Sequence, residues 1–92
     1  MSTHRYLVKG RVQSVGFRYF VLREADALRL TGWVRNLADG TVEVVASGDD
    51  VLLSTLEGRL WQGPPMARVT SLDVSSAEDP AAPGFHIQPT PW

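Results

Sequence analysis

Residues 8–18 constrain the fold of this chain more than any other stretch. They begin with the alternating apolar residues of a strand, are interrupted by Gly10 and Gly16, and continue into a helical pattern at Phe17. When a strand, a tight loop and a helix follow in this order, the first helical amides lack an intrahelical acceptor. The helix dipole adds partial positive charge at the same place. The stretch therefore predicts an anion-binding loop.

The candidate donors of this loop are consecutive backbone amides, those of Gln13, Ser14, Val15, Gly16, Phe17 and Arg18. The side chain of Arg18 falls in the first helical turn, where a guanidinium can bind a phosphate or carboxylate through two parallel hydrogen bonds. A plain turn followed by a solvated arginine has the same local pattern. The loop alone therefore does not decide between a site and a turn.

Length and composition bound the class of protein. The chain has 92 residues, a net charge of −1 and no cysteine. This length predicts one domain over residues 1–92, and the charge does not favour a nucleic-acid or membrane partner. Without cysteine, disulfide and thiolate chemistry are excluded. No apolar run approaches the roughly 20 residues of a membrane span, and residues 1–6 lack a secretion signal. We therefore expect a cytoplasmic monomer.

Apolar periodicity predicts the order strand, helix, strand, strand, helix, strand, followed by a short fifth strand. The predicted strands are 6–12, 33–37, 41–47, 68–75 and 85–88. The first helix is predicted from residue 17 to about residue 30, with Phe17, Val21, Ala25 and Leu28 on one face. The second helix is predicted to carry Leu52 or Leu53, Leu56 and Leu60, and to stop at the Gly-Pro-Pro of residues 63–65. Residues 75–84 form the one loose-looking segment.

Short turn signals separate these elements. Gly32, following Thr31, is expected to close the first helix. Asp39 and Gly40 are expected to form a hairpin turn. Either acidic residue of the pair 49–50 can cap the second helix, and this is a simpler interpretation than a metal site, since no further ligand cluster accompanies them.

Residues outside these patterns receive simple interpretations. His4 and His86 lie near the two ends of the chain, and we expect them to be structural or exposed. Trp33 and Trp61 are interpreted as core or sheet packing. In the alternating segment of the fourth strand, the set of Thr70, Leu72 and Val74 is predicted to be buried.

The element order is that of the α+β ferredoxin-like βαββαβ sandwich, in which two helices cover one face of an antiparallel sheet. The crossover through the first helix makes strands one and two run in the same direction. Their carboxyl ends therefore lie at one edge of the sheet. This topology brings Asn36, at the end of strand two, toward the loop that ends in Arg18.

Two separated motifs make a family resemblance visible. Residues 8–18, VKGRVQSVGFR, resemble the first signature of the acylphosphatases. Residues 32–36, GWVRN, followed by Gly40, Val42 and Gly48, resemble their second signature. Both signatures lie at the family's spacing in a chain of the family's size. One departure is Ser14, where the family most often has glycine; a positive φ there would cost about 1 kcal/mol.

The resemblance implies hydrolysis of the carboxyl–phosphate anhydride of acyl phosphates, giving a carboxylate and inorganic phosphate. It implies no metal and no cofactor, and it makes Arg18 and Asn36 the catalytic pair. Arg18 would hold the phosphoryl group together with the loop amides, so that inorganic phosphate or sulfate would inhibit. Asn36 is too weak a base to take a proton early, and we expect its carboxamide to orient the attacking water.

Two other hypotheses remain. RNA-recognition modules share the βαββαβ order, but they carry aromatic residues on the third strand, and residues 41–47 contain no aromatic or basic side chain. The second alternative is a domain that binds a phosphorylated metabolite without hydrolysing it. Related domains occur fused to a maturation factor that handles carbamoyl phosphate, which makes carbamoyl phosphate a possible ligand or substrate.

Overall fold

A computed structural model describes residues 1–91. Its strands are β1 (Ser2–Arg11), β2 (Thr31–Asn36), β3 (Val42–Gly48), β4 (Arg68–Ser76) and β5 (Phe85–Ile87), and its helices are α1 (Phe17–Ala27) and α2 (Asp50–Gln62). The predicted βαββαβ order with a short fifth strand is confirmed. Among these residues, no helix is long and apolar enough to cross a membrane.

The strands form one five-stranded sheet in the order β4-β1-β3-β2-β5. β1 pairs antiparallel with β3 and β4, and β2 pairs antiparallel with β3. β5 instead runs parallel to β2, so the prediction of a wholly antiparallel sheet is wrong at this edge. Because β4 ends where β1 and β2 begin, the segment between β4 and β5 crosses at that end, and the chain re-enters the sheet in the direction of β2.

The core lies between the sheet and the two helices. α1 buries Phe17, Val21 and Ala25, as its apolar stripe predicts. α2 buries Leu53, Leu56 and Leu60, so Leu53 rather than Leu52 belongs to its inner face. The inward residues of the sheet complete the core, and they are Tyr6, Val8, Val34, Val42, Val44, Ala46 and Phe85. Both helices therefore pack on one face of the sheet, as predicted.

The end of α1 differs from the prediction. The helix stops at Ala27, and Arg29, with φ of 56°, makes the left-handed turn that was expected at Gly32. Gly32 lies inside β2, where an added Cβ would fall 1.9 Å from the carbonyl oxygen of Val45. This glycine permits the close approach of β2 and β3, a long-range constraint that its position in the sequence does not reveal.

A bulge in β4 changes which of its side chains are buried, because Lys9 pairs with Ser71 and Gly10 pairs with Val69, which leaves Thr70 without a partner on β1. The β1–β4 register shifts at Gly10, so that Val69 and Leu72 both pack against the core. Thr70 is exposed and Val74 is 43% exposed, so only Leu72 of the predicted buried set is correct. Strict alternation fails here because a bulge adds a residue to one strand and interrupts the side-chain period.

The positions of one helix cap, two histidines and two tryptophans can be compared with their predictions. Asp49 caps α2 through its carboxylate, which accepts from the amide of Val51 at 2.9 Å. His4 is half-buried and His86 is exposed, as expected. Trp33 packs on the sheet beneath the Arg35 guanidinium, 4.6 Å from its ring centre. Trp61, by contrast, is 47% exposed, so its assignment to the core is wrong.

Candidate active site

The loop between β1 and α1 is curled by two residues with positive φ. Ser14 has φ of 61° and Gly16 has φ of 77°. Gly16 is the N-cap of α1 and offers no side-chain acceptor; the first amide of the helix to find a partner is that of Phe20, which donates to the Gly16 carbonyl at 3.0 Å. Within residues 1–91, no acceptor is bound by the backbone amides of residues 13–18. The loop therefore presents free donors at the positive end of α1.

Glycine at position 16 is explained by its backbone conformation and not by a lack of space. A Cβ at Gly16 would meet nothing within 4 Å, so the position is not crowded by the protein. Its left-handed φ is the main reason for glycine. Ser14 also has a positive φ, a conformation that costs a non-glycine residue about 1 kcal/mol.

The Gln13 side chain makes two hydrogen bonds that the amino-acid sequence did not predict. Its Nε2 donates to the carbonyl oxygens of Leu37 at 2.8 Å and of Thr41 at 3.0 Å. Both carbonyls belong to the connection between β2 and β3. The sequence pointed only to the Gln13 backbone amide, and no sequence signal identifies carbonyl partners that lie on another hairpin.

Arg18 and Asn36 line the same cleft, which has a volume of about 290 Å³. Its lining residues are Val12, Ser14, Gly16, Phe17, Arg18, Tyr19, Asn36 and Ile87. Of the predicted loop residues, Gln13 and Val15 do not line it. Ile87 was not among the predicted site residues, because the sequence did not indicate which strand β5 would pair with; β5 runs parallel to β2 and brings Ile87 to the edge where Asn36 lies.

Arg18 and Asn36, two of the polar side chains that line the cleft, each carry a group without a partner in the described part of the chain. Arg18 is half-buried, and it forms no ion pair with any residue in the described part of the chain. The Oδ1 atom of Asn36 is buried and accepts no hydrogen bond from residues 1–91. An unpaired buried acceptor costs about 1–3 kcal/mol, so its presence calls for a functional explanation.

The cleft lining contains a guanidinium and a carboxamide but no carboxylate, imidazole or thiol. Over residues 1–91, no group of three or more His, Cys, Asp or Glu side chains is placed to hold a metal ion. The carboxyl groups with a shifted pKa lie elsewhere: hydrogen bonds from Thr41 lower the pKa of Asp39 in the β2–β3 turn. The lining is therefore suited to binding an anion and a water molecule.

Fold and cleft together define a small ferredoxin-like α/β protein whose first strand-to-helix loop faces an arginine and an asparagine. The family model of acylphosphatase matches residues 4–87. The chain is similar to an acylphosphatase of Thermococcus kodakarensis, with 50% identity over 87% of this chain and 88% of the relative. It is similar to one of Cupriavidus necator, with 48% identity over 97% of this chain and 96% of the relative.

A solved acylphosphatase structure is also similar to this chain. The crystal structure of acylphosphatase from Bacillus subtilis superposes with a TM-score of 0.91 at 42% identity, covering 96% of this chain and 99% of that one. The chain belongs to the acylphosphatase family.

Proposed function

We propose that this protein hydrolyses the carboxyl–phosphate anhydride of acyl phosphates in the cleft that contains Arg18 and Asn36. Relatives named acylphosphatase span nearly the whole chain and support the activity. The assignment of residues depends on one observation. Loop residues with free backbone amides, the unpaired Arg18, and Asn36, whose Oδ1 accepts no hydrogen bond from residues 1–91, line one cleft.

The loop and Arg18 bind the phosphoryl group. Its oxygens accept hydrogen bonds from the amides of residues 13–18, while the guanidinium binds in the cleft beside them. At a separation of roughly 3.5 Å and an effective dielectric constant near 20, each unit of phosphate charge gains about 5 kcal/mol from one guanidinium before desolvation is subtracted. Inorganic phosphate and sulfate present the same oxygens, and we expect both to inhibit.

Asn36 orients the attacking water. Its Oδ1 accepts a hydrogen bond from the water and so directs a lone pair of the water oxygen at phosphorus. A bond forms between that oxygen and phosphorus as the bond from phosphorus to the acyl oxygen breaks. Both hydrogens of the water end on the phosphate product, and the acyl group leaves as a carboxylate.

This reaction does not require a strong acid or base from the protein. The leaving carboxylate is stable without a proton at neutral pH, since carboxyl pKa values are near 4. Phosphoryl transfer depends mainly on positioning and charge stabilisation. The side chains that line the cleft match these needs. We therefore propose a reaction without metal or cofactor, carried out by residues 1–92 as a single domain.

The test is hydrolysis of benzoyl phosphate in the presence of excess EDTA. The release of inorganic phosphate measures the reaction rate. We expect sustained turnover at a rate that EDTA does not change. Binding of inorganic phosphate without turnover of benzoyl or carbamoyl phosphate would favour the sensing domain instead. Activity that EDTA abolishes and a divalent cation restores would contradict the metal-free reaction.

A further inference from the structure

A groove of about 810 Å³ adjoins the proposed phosphate cleft. Gly16 and Tyr19 line both the groove and the cleft, which makes them continuous. Its walls include Tyr19, Phe20 and Arg23 of α1, Gln62 of α2, and Pro64 and Pro65 beyond α2. Its size falls in the range of roughly 300–1,000 Å³ typical of pockets for small organic molecules.

The far wall of the groove and Asn36 lie on opposite sides of the loop. Asn36 and Ile87 stand at the carboxyl ends of β2 and β5, toward one edge of the sheet. The far wall of the groove is the end of α2 and the segment that enters β4, at the other edge. The loop itself follows β1, which is between these edges in the sheet order. A phosphoryl group bound at the loop therefore has Asn36 toward one edge of the sheet, while the groove extends from the loop toward the other edge.

The stereochemistry of phosphoryl transfer determines on which side of phosphorus the acyl group lies. The attacking and leaving oxygens are roughly in line, on opposite sides of phosphorus. When Asn36 orients the water, the leaving carboxylate must point away from Asn36 and toward the groove. We propose that this groove binds the acyl group of the substrate and favours acyl groups with an apolar or aromatic body; this inference rests on the proposed function.

The side chains of the groove fit such an acyl group. The Tyr19 ring is 60% exposed, and Phe20 and the two prolines add further apolar surface. The one carboxylate of the groove, Glu24, is bound to Arg59 of α2, so it does not repel an anionic substrate. Arg23 lies over the Tyr19 ring at 5.9 Å and leaves the groove with an excess of positive charge.

The test compares kcat/KM for benzoyl phosphate with kcat/KM for acetyl phosphate, whose methyl group is too short to fill the groove. Tyr19→Ala removes the aromatic wall, and Gln62→Trp obstructs the groove from the exposed end of α2. We expect each variant to lower the ratio of benzoyl to acetyl kcat/KM by about fivefold, the factor provided by burial of roughly 40 Å² of apolar surface. Trp61→Ala is the matched control, because Trp61 is exposed on α2 outside the groove, and its ratio should equal that of the wild type.

The possible outcomes separate the two proposals. A wild-type protein that hydrolyses neither compound overturns the proposed function and this inference with it. A wild-type protein that hydrolyses both, with the ratio unchanged in Tyr19→Ala and Gln62→Trp, overturns the acyl groove alone. Loss of both activities in equal proportion also overturns it, since the ratio then stays at the wild-type value.

Discussion

The Nε2 atom of Gln13 lies 2.8 Å from the carbonyl oxygen of Leu37. Gln13 belongs to the loop that follows β1, and Leu37 comes directly after Asn36 at the end of β2. The same Nε2 reaches the carbonyl of Thr41, across the hairpin, at 3.0 Å. One side chain thus joins the proposed phosphate loop to the hairpin that carries Asn36. We expect this link to hold Asn36 at its distance from the loop.

We expect Gln13→Ala to lower kcat more than it lowers the affinity for inorganic phosphate. Loss of two hydrogen bonds should reduce the free energy of unfolding by about 1–2 kcal/mol. A shift of Asn36 relative to the bound phosphoryl group should reduce kcat by about tenfold, because catalysis by positioning is sensitive to small displacements. Benzoyl phosphate kinetics, phosphate inhibition and urea denaturation measure the three effects.

Gln88→Ala serves as the control for Gln13→Ala. Gln88 follows β5, and its side chain makes no hydrogen bond with residues 1–91, while its backbone amide donates to Val34. Its kinetics should stay at the wild-type values. If Gln13→Ala loses stability but keeps its wild-type kcat, Gln13 is a structural residue and does not position the site.

Arg18→Ala should abolish most of the activity and weaken phosphate binding together. Removal of one donor that stabilises developing charge typically costs about 100- to 1,000-fold in kcat, and we expect a loss of this size. The control is Arg29→Gly, which removes a guanidinium beyond the far end of α1 and suits the left-handed φ of 56° at that position. Near wild-type kinetics of Arg18→Ala on benzoyl phosphate would remove Arg18 from the mechanism.

Asn36→Ala should lower the activity without lowering the stability of the fold. Because Asn36 serves the water, kcat should fall by about 100-fold with a much smaller change in phosphate inhibition. Its Oδ1 has no partner among residues 1–91, so the substitution removes a buried unpaired acceptor. The melting temperature should therefore match or exceed that of the wild type. An equal loss of kcat and phosphate affinity would argue that Asn36 binds phosphate instead.

The parts of the structure that follow from local sequence could be predicted. The apolar stripe of Phe17, Val21 and Ala25 repeats at the helical period, and the loop before it is marked by glycine. Asn36 could be placed near Arg18 because the crossover rule fixes the direction of β2 relative to β1. These inferences need only neighbouring residues and one rule of chain topology.

Features that depend on distant partners could not be predicted. Gly32 looked like a helix end, and only the carbonyl of Val45 on β3 explains why glycine is required there. The direction of β5, and with it the place of Ile87, is set by the path of the chain across the sheet. The bonds of Gln13 end on backbone carbonyls, which every residue has, so no residue type identifies them.

Ser14→Gly should stabilise the protein slightly. Ser14 has φ of 61°, and left-handed backbone costs a non-glycine residue roughly 1 kcal/mol. Glycine removes this strain but adds freedom to the unfolded chain, so we expect a net gain of about 0.5 kcal/mol. Ser14→Val is the matched comparison, since a β-branched residue tolerates positive φ poorly, and it should lose at least about 1 kcal/mol. A lower unfolding free energy for Ser14→Gly than for the wild type would contradict the strain.

On the sheet face opposite the helices, Glu43 is buried and accepts hydrogen bonds from Arg5 and Arg35. Burial raises the pKa of its carboxyl, but the hydrogen bonds from Arg35 and Arg5 outweigh that effect and hold the pKa below its ordinary value of 4.5. A carboxyl whose pKa is lower in the folded state contributes stability above its unfolded pKa. This contribution is lost as the pH falls below about 4.5 and through the folded pKa.

Glu43→Gln should therefore lower the free energy of unfolding by about 1–3 kcal/mol at pH 7, where the wild-type carboxylate is charged. Below pH 4.5 the wild type loses that advantage, so the two unfolding free energies should converge as the pH falls through the lowered pKa of the Glu43 carboxyl. Asp73→Asn is the control, because the ion pair of Asp73 with Lys9 at 3.7 Å is exposed, and removal of such a pair costs at most about 1 kcal/mol. Urea denaturation across this pH range measures both variants. If the unfolding free energies of Glu43→Gln and the wild type fall in parallel as the pH is lowered, protonation of Glu43 is not the cause of the wild type's loss of stability.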